Sequence, residues 1–208
     1  MSAPVSHFVY AQFYLDRHPE RDAAAFLAGS VFPDIHYLGT VERKATHNAK
    51  KVTSETMKNE SDSWAAGNQH HNRVDDAWHA YVQKNAPEYF DDELTVKALK
   101  MLEDETTYPM IPDWLPVRVA LRVVPNQEQK LVTPDVSLKW HRLLIKLVVA
   151  PPSRERRDNF LRELKYEDEE MDLLDRRVRA LRVDPKVQKL IAGLTAFMLA
   201  KAFDSYDI

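Results

Sequence analysis

No cysteine occurs in this chain. That removes disulfides, thiolate nucleophiles and cysteine-ligated zinc or iron–sulfur sites in one step. Glycine is nearly as scarce, with four residues in 208, which argues against barrels, sandwiches and glycine-rich phosphate loops. Long apolar runs are missing too. The longest, Leu190 to Phe203, contains Lys201 and is too short to span a bilayer, so it reads as a core helix. No basic stretch followed by an apolar run opens the chain, so the sequence predicts no secretion signal and a cytoplasmic protein. Neither sign of charge dominates at a formal net charge of -3, and no nucleic-acid polymer is expected as a partner. Several catalytic signatures are also absent. There is no His-Glu-x-x-His, no Gly-x-Ser-x-Gly elbow, no Walker loop, no dinucleotide fingerprint and no adjacent His-Asp pair.

What remains is a composition of 44% hydrophobic and 29% charged residues, ordinary for a globular protein. Apolar residues recur at three- and four-residue spacing through most of the chain, which predicts an all-α fold. Phe8, Ala11 and Leu15 mark a first helix ending near His18-Pro19. Pro19 suits the first turn of a second helix through Ala23 to Ala28, closed by Gly29. Phe32-Pro33-Asp34 reads as a turn, because a residue before proline is pushed out of the helical region. Residues 48–61 are polar and lysine-rich, and read as a surface loop or frayed helix.

Strong helices are expected over Trp64–Val82 and Asp91–Glu105, with a proline-rich loop over Tyr108–Pro116. Val117–Val124 alternates like a strand, but no partner strand is in prospect and a helix is favoured. Thr133-Pro134-Asp135 opens a helix to Val149. Arg154–Arg182 is a charged helix or helix pair, and Asp184-Pro185 opens the last helix. Residues 1–208 are expected to form a single domain, with a metal-binding core over 1–150 and C-terminal helices over 151–208 completing or extending it.

The chemistry concentrates in one helix. His71, Asp75 and His79 are four residues apart and so share one face. Imidazole and carboxylate together suit zinc or another first-row metal. Gly67 precedes them on the same face, where a missing side chain lets a helix or a substrate approach closely. A lone histidine is more often a core or surface residue than a ligand. Here, however, five of the eight histidines fall between His36 and His79.

These residues belong to a longer pattern. Phe26-Leu-Ala-Gly-Ser-Val-Phe-Pro-Asp34-Ile is followed by Glu42-Arg43, Thr46-His47 and then Gly67-x-x-x-His71-x-x-x-Asp75-x-x-x-His79, with His7 in the first helix. The pattern resembles the zinc-dependent phospholipase C family, whose all-helical fold is related to P1-type nucleases. The resemblance covers residues 7–79. It implies His7, Asp34, His47, His71 and Asp75 as metal ligands, with Asp75 as a bridge between two ions and His79 as a further ligand. Asp34 is also the candidate general base, and Arg43 and His36 are candidate substrate contacts. His70 is rotated about 100° from His71 on a helix and should face elsewhere.

The implied activity is metal-dependent hydrolysis of a phosphate ester, with zinc, or else iron or manganese, as the ion. The implied substrate is a small phosphoester or a phospholipid head group, compatible with peripheral contact at a membrane surface. The chain departs from the family in two ways. Met1 precedes His7 by six residues, where secreted members present a free amino terminus to the metal. The later His-x-x-x-Glu pair has no match, because His141 is followed four residues on by Ile145. One or two ions are therefore expected, with His141 outside the site. Two alternatives are a helical hydrolase resembling acyl-carrier-protein phosphodiesterase and a non-catalytic helical protein with a structural metal.

Overall fold

The first helix, α1 (Pro4–Leu15), is apolar on nearly every side, which is the pattern of a helix surrounded by others. The computed structural model describes residues 4–47 and 52–203. It is all-α, with no strand among the described residues. After α1 come α2 (Ala23–Gly29), a 3-10 turn (Phe32–Leu38), α3 (Arg43–Thr46), α4 (Ser54–Asn59), α5 (Ser63–Asn85), α6 (Glu93–Thr107) and α7 (Leu115–Ala120). The C-terminal part holds α8 (Pro134–Val148), α9 (Arg154–Glu163), α10 (Asp168–Arg182) and α11 (Pro185–Phe203).

α1 packs against α2, α5, α6 and α11. Its Phe8, Val9 and Ala11 are fully buried with Phe26, Leu99 and Leu194. Burying each large apolar side chain contributes about 1.5–3 kcal/mol. α10 lies on α6, and α11 reaches α1, α5 and α6, so the C-terminal helices close over the same core.

α2 and α5 meet at two glycines. A Cβ on Gly29 would lie 2.1 Å from the Trp64 carbonyl oxygen, and one on Gly67 would lie 2.2 Å from that of Phe26. Only glycine at both positions lets the two backbones touch. Gly29 is the last residue of α2, where the sequence places the helix stop, and it is a packing residue as well. Ser30 caps the helix in right-handed conformation.

The structure corrects several boundaries. Pro19 does not open α2. Asp22 does, its side chain accepting the Ala25 N–H. The turn at Pro33-Asp34 is one of 3-10 type that continues to Leu38. Within the polar stretch, residues 48–51 lie outside the described residues, and Thr53 and Thr56 form a capping box that starts the short α4. The alternating segment forms α7 up to Ala120, with the prolines before it partly in a 3-10 turn at Tyr108–Met110. Arg154–Arg182 is a helix pair, broken where Lys165 adopts a positive φ of 64°.

Candidate metal centre

Four segments converge at one buried spot. α1 supplies His7, the 3-10 turn supplies Asp34 and His36, the end of α3 supplies His47, and α5 supplies His71 and Asp75. The start of α1 is fixed from below. The Ser6 N–H and hydroxyl both donate to Asp104 Oδ1 of α6, at 2.8 and 2.9 Å. The first N–H groups of a helix need acceptors from outside it, and Asp104 sets where α1, and so His7, begins. Next along α6, Glu103 accepts from the Tyr10 hydroxyl at 2.6 Å and from Trp78 Nε1 at 2.9 Å, tying α6 to both ligand-bearing helices.

His71 is fully buried, and its Nδ1 donates to the Ser30 carbonyl at 2.9 Å. That hydrogen bond puts the proton on Nδ1 and leaves the lone pair on Nε2. Nε2 lies 3.8 Å from Asp34 Oδ1 and 3.7 Å from Asp75 Oδ2 and has no hydrogen-bond partner. A buried lone pair facing two carboxylate oxygens is unfavourable by itself. A cation at the centre of those atoms turns the repulsion into coordination, so the residues fit a metal ion.

His36 and His47 are set in the same way. His36 Nδ1 donates to the Pro33 carbonyl at 2.9 Å. The Thr46 hydroxyl donates to that same carbonyl at 2.8 Å and lies 3.1 Å from His47 Nδ1. With the Thr46 proton on Pro33, the His47 N–H donates to Thr46, and Nε2 is again left as the ligand atom. Asn68 of α5 donates to the Thr46 carbonyl, which holds the end of α3 against α5. The His7 ring stacks on His71, centroids 4.0 Å apart, with its Nε2 3.7 Å from Asp75 Oδ1.

The electrostatics favour neutral imidazoles. Burial first, and His7 beside it, lower His71 from 6.5 to about 3. Burial and then the Arg43 charge lower His47 to about 4. Neutral rings at pH 7 bind a metal without first losing a proton. Burial pushes the Asp75 carboxyl up, but the Lys100 ammonium, His7 and His71 outweigh it and hold it well below the usual carboxylate range.

Ligand atoms lie within 4.8 Å of one another in three overlapping groups: His7, Asp34 and His71; Asp34, His36 and His47; and His47, His71 and Asp75. Sequence reasoning therefore found every member, although it placed His36 as a substrate contact. His79 is not in these groups. It is exposed, and its ring meets Trp78 and Phe90. Arg43 lies exposed one turn before His47 and has no ion pair with a carboxylate among the described residues. His70 faces away, packed between Tyr14 and Phe26. His141 is buried apart from the site, with Nδ1 bonded to the Leu121 carbonyl and Nε2 to Glu128 Oε1, each at 3.0 Å.

Sequence reasoning missed Lys100. Its Nζ donates to Asp75 Oδ1 at 3.1 Å and sits 4.9 Å over the Trp78 ring. The signal was a lysine inside the apolar run Ala98-Leu99-Lys100-Met101-Leu102, where its four neighbours are all buried. Tyr37 was missed as well. Half-buried beside His36, its phenol is pushed far above the usual value by burial and then by the Asp34 and Asp75 charges.

No family model matches the chain, nor does any curated protein or solved structure. Among the described residues no helix is long and apolar enough to cross a membrane.

Proposed function

We propose that this protein is a metal-dependent phosphoester hydrolase, with zinc as the first choice of ion and iron or manganese as alternatives. The observation that carries the reading is the geometry at His71. A buried imidazole lone pair is aimed at two carboxylates, its other nitrogen locked by Ser30. The choice of a phosphoester rests on Arg43 and on the resemblance of residues 7–79 to the zinc-dependent phospholipases C. A cytoplasmic location belongs to the same reading.

When bound, a divalent ion makes water a better nucleophile near neutral pH and draws charge from a phosphoryl oxygen. The remaining work falls to the chain. The rings of His36, His47 and His71 are set by their neighbours so that Nε2 keeps its lone pair, and His7 lies stacked on His71. Asp34, buried at 2% exposure, carries a carboxylate that accepts the proton of the attacking water. The exposed Arg43 guanidinium, without a carboxylate partner among the described residues, pairs with two oxygens of the phosphate and orients it. A phospholipid head group and a small soluble phosphodiester present the same chemistry to these residues.

The test is cleavage of bis(p-nitrophenyl) phosphate, p-nitrophenyl phosphate and a short-chain phosphatidylcholine by zinc-loaded protein, with and without chelator. Chelator-sensitive release from at least one of them is expected. Arg43→Ala should raise KM about tenfold, the loss of one charge-assisted contact, with metal content unchanged. If metal-loaded protein cleaves none of the three while chelation lowers its melting temperature, the ion is structural and the hydrolase reading fails.

A further inference from the structure

Outside the metal centre, a groove runs between α8 and α9. Two hollows of about 640 and 380 Å³ share Leu143, Lys146 and Glu163 in their walls, and so make one channel. Lys139, Arg142 and Lys146 follow one another at three- and four-residue spacing on the α8 side, which puts them on one helix face. Arg156 and Arg162 stand on the α9 side. Lys139 and Arg162 are paired, with Glu163 at 3.3 Å and Asp168 at 3.6 Å. Arg142, Lys146 and Arg156 have no carboxylate partner among the described residues. Arg156 reaches only the Lys146 carbonyl, at 3.5 Å. Three unpaired cations thus share one groove, in a chain whose formal net charge is -3. The buried Leu143, Leu147 and Phe160 make an apolar floor, and Val149 stands at one end with 48% of its surface exposed.

We propose that this groove seats an acidic amphipathic helix of a partner protein, with carboxylates on Arg142, Lys146 and Arg156 and an apolar side chain against Val149. The unpaired cations select a negative partner. Carboxylates one turn apart on that helix match Arg142 and Lys146, which are themselves one turn apart. The form of the partner follows from the walls. The backbone groups of α8 and α9 are already bonded within each helix, so an extended peptide would find no acceptors or donors for its own main chain. A helix arrives with its backbone bonds made and presents only side chains. From Asp135 to Val149 the groove runs about 21 Å, room for about four helical turns. A bilayer surface is too flat to follow a channel between two helices, and a free phosphate would leave the apolar end empty. This reading is independent of the metal centre.

The probe is a fluorescein-labelled, amidated peptide of two Leu-Glu-Glu-Leu-Leu-Ala-Glu repeats, titrated with the full chain and followed by anisotropy. Wild type should bind it saturably and should not bind the same residues in shuffled order. The double variant Arg142→Glu, Lys146→Glu should bind roughly tenfold or more weakly, because attraction becomes like-charge repulsion. Arg176→Glu, on the exposed side of α10, should change nothing. A peptide with Lys in place of each Glu should bind the double variant and not wild type. Both altered side chains are exposed and unpaired, so melting temperatures should match wild type. No binding by wild type, equal binding of the shuffled peptide, or full binding by the double variant would overturn the proposal. Two further results would overturn the partner helix in favour of another occupant. Binding of wild type, but not the double variant, to phosphatidylserine–phosphatidylcholine vesicles would assign the groove to lipid. Self-association in sedimentation that the double variant abolishes would assign it to a second copy of this chain.

Discussion

Two buried histidines, His71 and His141, sit on long helices at 0% and 1% exposure, and both place Nδ1 on a backbone carbonyl. They differ at the other nitrogen. His141 Nε2 meets one carboxylate oxygen of Glu128 at 3.0 Å, a hydrogen-bond distance at which one proton lies between the two groups. His71 Nε2 meets two carboxylates at 3.7 and 3.8 Å, too far for a hydrogen bond and the right size of gap for an ion about 2 Å from each atom. Burial and residue type are the same in both places. The spacing of the acceptors separates a structural histidine from a candidate ligand.

The largest effect that would break this comparison is on metal binding. His71→Ala should lower zinc affinity by more than about 100-fold, since even the loss of a residue supporting a ligand costs 10- to 100-fold. His141→Ala should leave affinity and stoichiometry unchanged. Equal losses in the two variants, measured by calorimetry, would show that the distinction drawn from spacing is false.

Next in size is the stability of the other region. Removing His141 strands Glu128, which is 0% exposed, beside an unpaired Leu121 carbonyl. Deleting one partner of such a buried pair costs about 3–5 kcal/mol. Urea unfolding of metal-free protein should show that loss for His141→Ala. A loss below about 1 kcal/mol would mean that the pair does not hold α8 to the turn at Glu128.

The smallest effect sharpens the comparison through pH. In the unfolded chain His71 takes up a proton below about pH 6.5, and in the folded metal-free protein only near pH 3. Between those values the unfolded state binds more protons. His71's contribution to stability is therefore full above pH 6.5 and is lost as pH falls toward 3. By pH 5 the loss is about 2 kcal/mol. His71→Asn lacks it, so the unfolding free energy of wild type relative to that variant should fall by this amount between pH 8 and pH 5. A constant difference would mean that the folded protein already protonates the ring.

The helices were legible in the sequence because their signals are local: apolar spacing, caps and prolines. The His71–Asp75 stripe was legible for the same reason, since one turn of helix fixes that distance. His79 continues the stripe by rule, but α5 carries it past the convergence of α1 and the 3-10 turn, and its ring meets Phe90 instead. His36 looked like a substrate contact because its anchor, the Pro33 carbonyl, belongs to a turn whose form is decided by packing. Trp140 Nε1 reaches the Val31 carbonyl across 109 positions to hold the start of that turn, and no local pattern encodes such a contact. Lys100 was hidden by its surroundings. A lysine within an apolar run reads as the wet edge of a helix until the carboxylate it faces is known.

The crossing of α2 and α5 gives the centre a hard stop. Where side chains mediate a contact between helices, a small shift is absorbed by a change of rotamer. At Gly29 and Gly67 backbone rests on backbone, and no soft layer lies between. The Ser30 carbonyl that orients His71 is the next residue after one of those glycines. The direction in which the imidazole points is thus machined into the main chain, with a tolerance smaller than a methyl group.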